Sequence, residues 1–163
     1  MPFTFGIITV SDKGARGERL DTSGQEIRDI LGKEGFYFVD YTIVQDEVEQ
    51  ISAALVAYAD QKKIDLIVTT GGTGVSPSDV TPEATMGVID KEIPGMSEAM
   101  RRESVLITPH AMISRAVVGI RGESLIINLP GSPKGVRENL ATVLPALGHA
   151  IEKIKGDPSD CSV

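Results

Sequence analysis

Short apolar runs and amphipathic stretches take turns along this chain, and that alternation narrows the fold more than any other feature. Phe5 to Val10 is apolar and ends at Ser11-Asp12, with a loop over Lys13 to Leu20 behind it. Ser23-Gly24-Gln25-Glu26 has the form of a capping box, and Ile27, Ile30 and Leu31 continue at helical spacing until Gly35. Tyr37 to Val44 is rich in β-branched and aromatic residues, which predicts a second strand. Val48, Ile51, Leu55 and Tyr58 then share one face of a helix. Leu66 to Thr70 lacks alternation, as expected of a strand covered on both faces. This order is that of an α/β domain built on a largely parallel sheet.

Beyond a Gly-rich loop, Thr81-Pro82 reads as a helix cap followed by proline at the first helical position. A further helix is expected to include Met96 to Arg102, limited by Pro109. Ala116 to Ile120 and Leu125 to Leu129 are two strands joined by Arg121 to Ser124, short enough for an antiparallel hairpin that makes the sheet mixed. Ser132-Pro133 opens a long helix with Val136, Leu140, Val143, Leu144, Leu147, Ile151 and Ile154 on its apolar side, and Pro145 within it predicts a kink or a break. The methionines Met86, Met96, Met100 and Met112 read as core filler. One domain over residues 1–155 is expected, with a flexible tail from Gly156 to Val163.

Charge excludes some partners. Sixteen basic against 23 acidic residues give a net charge of −7. General nucleic-acid binding relies on Lys and Arg at phosphates and is not expected. No apolar stretch approaches the ~20 residues that span a bilayer. Cys161 is the single cysteine, so no disulfide forms within one chain, and a reducing, cytoplasmic setting follows.

Ligands of an open α/β sheet bind beyond the carboxyl ends of the parallel strands. After the third strand stands Thr70-Gly71-Gly72-Thr73-Gly74, a turn whose backbone N–H groups can converge on an anion; an ordinary strand-to-helix turn would use the same residues. It is not a Walker loop, because no Gly-Lys-Ser/Thr follows. After the last strand stands Leu129-Pro130-Gly131-Ser132-Pro133-Lys134, with Ser132 as cap. Lys134 in the first helical turn opposes the helix dipole, so it is either a solvated lysine or the partner of an anion. Asp46 follows the second strand and reads either as a helix cap or as a ligand for a cation. Asp79 precedes the apparent cap Thr81 and is open to a turn role or to Mg²⁺, which is commonly held by one or two carboxylates together with substrate phosphates. Asp12 is a weaker candidate of the same kind. His149, inside the last helix, and the Arg101-Arg102 pair read as surface residues.

Thr69-Thr70-Gly71-Gly72-Thr73-Gly74, Asp79-Val80-Thr81-Pro82-Glu83-Ala84, Ile93-Pro94-Gly95 and Asn128-Leu129-Pro130-Gly131-Ser132-Pro133-Lys134 together resemble the MoaB/Mog family of molybdenum-cofactor biosynthesis proteins, in order and over nearly the whole chain. The resemblance implies a three-layer α/β/α sandwich, a homotrimer, and transfer of AMP from ATP to the phosphate of molybdopterin with Mg²⁺ as cofactor. It implies Asp46 and Asp79 as the catalytic, metal-holding aspartates. Substrate contacts would fall to Ser11, Asp12, Thr70, Gly71, Gly72, Thr73, Gly74, Pro130, Gly131, Ser132, Pro133 and Lys134. One subgroup of the family lacks the activity; this chain carries both aspartates, while its length and Asp21-Thr22-Ser23-Gly24 resemble the other subgroup. The competing readings are a non-catalytic molybdopterin-binding or assembly module, of the kind fused to molybdenum-insertion proteins, and a nucleotide hydrolase, which the missing Walker lysine disfavours.

Overall fold

The computed structural model describes residues 2–161. Six strands among the described residues, β1 (Thr4–Val10), β2 (Tyr37–Val44), β3 (Leu66–Thr70), β4 (Lys91–Glu92), β5 (Val118–Arg121) and β6 (Ser124–Leu129), join in one sheet in the order β2-β1-β3-β6-β5-β4. β2, β1, β3 and β6 run parallel, and β5 runs antiparallel to both of its neighbours. Arg121 pairs with Ser124, so the hairpin closes through Gly122-Glu123 alone, with Gly122 at φ 56. That left-handed backbone is the one a two-residue hairpin turn needs.

Helices cover both faces: α1 (Asp12–Ala15), α2 (Thr22–Lys33), α3 (Val48–Val56), α4 (Thr81–Met86), α5 (Pro94–Val105) and α6 (Pro133–Ile154). The two-residue period of the strands decides which side chain meets which layer. Phe5, Ile7, Leu66, Val68, Leu125, Ile127 and Leu129 point to one side, where they pack with Ile27 and Leu31 of α2, Met100 of α5 and the buried face of α6. Ile8, Val10, Ile67 and Ile126 point to the other, against Ile51, Leu55, Tyr58 and Ala84. The result is the expected three-layer sandwich. Each of these large aliphatic side chains contributes about 1.5–3 kcal/mol through burial.

Several local expectations give way to longer-range contacts. α2 starts before Ser23: Asp21 is the cap and accepts from Gly24 N at 3.0 Å. Ser23 instead donates its hydroxyl to Gly131 O at 2.6 Å, and Glu26 pairs with Arg137 at 2.6 Å. Thr81 is not a cap but the first residue of α4, fully buried, with its hydroxyl donated to Gly71 O at 2.9 Å. The helix that begins at Val48 does not stay regular through Tyr58: its last turn, Ala57–Gln61, is widened to π-helix. α6 continues through Pro145, held in place by the buried Leu140, Val143, Leu147 and Ile151 on either side of it. Met100 is core, but Met86 and Met112 are exposed. Of the expected tail, residues 162 and 163 lie outside the described residues, whereas Asp157 returns to Lys153 at 3.6 Å.

Candidate active site

Strand register brings four loops to one edge of the sheet. Val10 is level with Val44, and Thr9, Thr70 and Leu129 are level across β1, β3 and β6. Ser11-Asp12, Gln45-Asp46, Gly71-Gly72 and Pro130-Gly131 therefore leave the sheet side by side. They are tied together mainly through backbone. Ser11 N donates to Val44 O at 2.9 Å and Gly71 N to Leu129 O at 3.1 Å. The Thr70 hydroxyl donates to Pro130 O at 2.6 Å.

Glycine is required where these loops meet. Gly71 has φ 100, and a Cβ there would lie 2.4 Å from Val10 O. Gly72 has φ 68, and its Cβ would lie 2.4 Å from the Thr81 hydroxyl. Both positions combine a left-handed backbone with a space that no side chain can enter.

Two aspartates face this turn. Asp46 Oδ1 lies 3.4 Å from where a Gly72 side chain would begin, while its Oδ2 accepts from Asp12 N at 3.1 Å. Asp46 does not cap α3, whose cap position is Glu47. Asp79 Oδ2 accepts from Ser76 N at 3.0 Å and from the Ser76 hydroxyl at 2.8 Å, closing the loop back against Gly74. Asp79 thus has the turn role, and it also borders the same cleft as Asp46, a space of about 640 Å³. Ser11, Thr70, Gly71, Gly72, Gly131, Ser132 and Pro133 line it too, and Arg19 is the one basic residue in its wall among the described residues. Burial pushes the Asp46 carboxyl above the usual aspartate range; the charges of Asp12 and Asp79 push the same way, against the hydrogen bond from Asp12.

A second cleft of about 300 Å³ shares Ser132 with the first. Thr73, Gly74, Pro130 and Lys134 border it, together with Arg101, Ser104, Thr108, His110, Ser114 and Asn139. Ser132 caps α6 by accepting from Gly135 N at 3.0 Å, so the positive end of that helix lies between the two spaces. Lys134 is exposed and 3.7 Å from Glu138, a loose pair that leaves its charge available.

Residues 6–149 match the family described as "Probable molybdopterin binding domain". The chain belongs to that family. The molybdopterin adenylyltransferase of Helicobacter pylori (strain J99) is 42% identical over 157 residues, covering 93% of this chain and 88% of that protein. Gephyrin of Dictyostelium discoideum is 43% identical over 163 residues, covering 94% of this chain and 23% of gephyrin. The crystal structure of the molybdopterin biosynthesis enzyme MoaB from Thermus thermophilus superposes with a TM-score of 0.90 at 50% identity, covering 97% of this chain and 99% of that one.

In this member of the molybdopterin-binding family the residues expected at one site divide between two clefts. Ser132 touches both spaces, while Thr73, Gly74, Pro130 and Lys134 border only the second, Gly74 still lying against the Asp79 carboxylate. Asp12 braces Asp46 through the backbone rather than lining either wall. Arg101, expected on a solvated face, donates to Ala116 O at 2.9 Å and borders the second cleft; Arg102 is the solvated one. Ser114, in the same wall, lies in no periodic segment, and its one signal in the sequence is the hairpin itself: an antiparallel β5 must begin beside the carboxyl end of β6.

The donor set suits magnesium. Asp46 and Asp79 are two hard oxygen donors in one open cleft, the charge of Asp79 helps to raise the Asp46 carboxyl, and the described residues contain no cluster of three or more metal-ligating side chains. Magnesium is commonly held by one or two carboxylates and completes its octahedron with phosphate oxygens and water.

Proposed function

We propose that this chain is a molybdopterin adenylyltransferase, transferring AMP from ATP to the terminal phosphate of molybdopterin with release of pyrophosphate. The observation that carries the reading is the meeting of Asp46, Asp79 and the Gly71-Gly72 turn in one polar cleft, with a second cleft beginning at Ser132. The polar cleft takes the ATP phosphates; the second, with Arg101, His110, Ser114 and Lys134 in its wall, takes the pterin and its phosphate. The names of the relatives support this activity.

In the transfer, a pterin phosphate oxygen forms a bond to the α-phosphorus of ATP while the bond from that phosphorus to the bridging oxygen breaks, and pyrophosphate leaves with the electron pair. Such chemistry rests on positioning and charge neutralisation rather than on a protein nucleophile. The glycine turn lets the backbone come close to the phosphates, and the amino end of α6 sets a positive dipole beside them. Asp46 and Asp79 would hold magnesium, which when bound neutralises charge on the triphosphate.

Further parts of the proposal are a single domain over residues 1–155, a cytoplasmic setting in keeping with the free thiol of Cys161, and a homotrimer. Leu106, Ile107, Met112 and Ile113 are exposed apolar side chains in the segment that borders the second cleft, which suits contact with other copies. Delivery of the product to a molybdenum-insertion protein completes it. No helix among the described residues is long and apolar enough to cross a membrane.

The experiment is pyrophosphate release from ATP with and without molybdopterin, on the parent chain and on Asp79→Asn. The parent releases pyrophosphate only with the pterin, and Asp79→Asn loses release by about 100-fold or more while still binding molybdopterin. Pterin binding without release in the parent favours the assembly-module reading, and release without pterin a hydrolase.

A further inference from the structure

Arg115 stands just before β5, next to Ser114 in the wall of the second cleft. Its backbone N donates to Thr73 O at 2.8 Å. Its Nε donates to Gly74 O at 2.7 Å and its Nη2 to Asp79 O at 2.8 Å. The remaining edge of the guanidinium meets the Glu83 carboxylate in α4. One side chain therefore spans the whole loop between the glycine turn and Asp79. Thr81 fixes the base of that loop, through N to Gly72 O at 3.1 Å and its hydroxyl to Gly71 O. Between these anchors the chain is exposed at Val75, and among the described residues its own bonds lie within Ser76 to Asp79.

We propose that Arg115 is a positioning residue for adenylyl transfer, its planar fork setting where the Asp79 carboxylate points and joining that carboxylate to the second cleft through Gly74. The charge of Arg115 is already matched by Glu83, so its part is geometric and not the neutralisation of phosphate. Lysine cannot replace it, because a single ammonium does not reach two carbonyls and a carboxylate in one plane. The proposal rests on the reading that Asp79 acts in the transfer.

The test compares the full chain with Arg115→Lys and Asp79→Asn by amide hydrogen exchange and by pyrophosphate release. In Arg115→Lys the amides of residues 73–80 exchange about tenfold faster, while those of β3 and β6 keep their parent rates. The kcat falls by about 10- to 100-fold, with KM for both substrates within about threefold, and half-maximal activity needs more magnesium. A parent-like value for either loop exchange or kcat overturns the proposal. Full turnover in Asp79→Asn overturns the underlying reading instead, whereas an inactive Asp79→Asn beside a normal Arg115→Lys removes only the role of Arg115. If Arg115→Lys does not fold, Glu83→Gln carries the same test: faster exchange at 73–80 and a lower kcat support the proposal, and parent values of both sink it.

Discussion

Asp12 and Asp46 hold each other through a reciprocal pair of hydrogen bonds: Asp12 N donates to Asp46 Oδ2 at 3.1 Å, and Asp46 N donates to Asp12 Oδ1 at 2.9 Å. The pair staples the ends of β1 and β2 at the rim of the cleft and fixes one oxygen of Asp46. It also sets two negative charges close together, with Asp79 adding a third contribution.

That crowding has a pH signature. Burial, aided by Asp12 and Asp79, raises the carboxyl of Asp46 in the fold above its unfolded value of about 3.9. A raised carboxyl favours its protonated form, so its contribution to stability is present below the unfolded value and is lost as pH rises through the folded one. At neutral pH ionised Asp46 therefore opposes folding. Asp46→Asn is expected to melt at a higher temperature than the parent at pH 7, with the gap closing at strongly acidic pH, and to lose adenylyl transfer by about 100-fold or more. Thermal melts across pH, without magnesium, check the sign; a lower melting point for Asp46→Asn at pH 7 would contradict it.

Gly71→Ala probes the turn. The left-handed backbone at φ 100 costs a non-glycine residue about 1–3 kcal/mol, and the new methyl would stand against Val10 O. Both stability and turnover are expected to drop together. Gly17→Ala is the control, since Gly17 has φ 73 but an added methyl meets nothing within 4 Å; it should carry only the backbone cost and keep full turnover. Denaturant titration with steady-state kinetics on both variants makes the comparison.

Behind the cleft, Asn128 ties three elements together. Its Oδ1 accepts from Val117 N at 3.0 Å, and its Nδ2 donates to the hydroxyls of Thr69 and Thr85, each at 3.0 Å. All three side chains are fully buried. Asn128→Ala strands a buried N–H and opens a void, for an expected loss of about 2–4 kcal/mol. A urea midpoint equal to that of the parent would show that water takes over these bonds.

The parts of the fold that could be read directly are those governed by local pattern. β2 and β3 have the bounds their composition implies, because a run of β-branched and apolar residues has few other uses. The caps depart from the local pattern for a physical reason. The hydroxyls of Ser23 and Thr81 have the right spacing for local caps, yet Ser23 bonds a carbonyl 108 residues away and Thr81 one across the glycine turn. The division into two clefts was equally hidden: Thr73 and Gly74 follow Gly72 directly, but the positive φ of Gly71 and Gly72 turns the chain between them. Arg115 leaves no trace in any period, since its work is done at carbonyls 36 and 41 residues away.

Lys134 distinguishes the two clefts by kinetics. It borders only the second, opposes the dipole of α6, and has Glu138 as a distant partner at 3.7 Å. Its side chain is 70% exposed, so its attraction for a pterin phosphate is screened and worth about 1 kcal/mol, or roughly fivefold in affinity. Lys134→Ala is expected to raise KM for molybdopterin by about that factor while leaving KM for ATP unchanged. Higher salt should weaken pterin binding in the parent more than in the variant, because the screened term is the one removed. If instead KM for ATP rises and that for molybdopterin does not, the two substrates occupy the clefts in the opposite order.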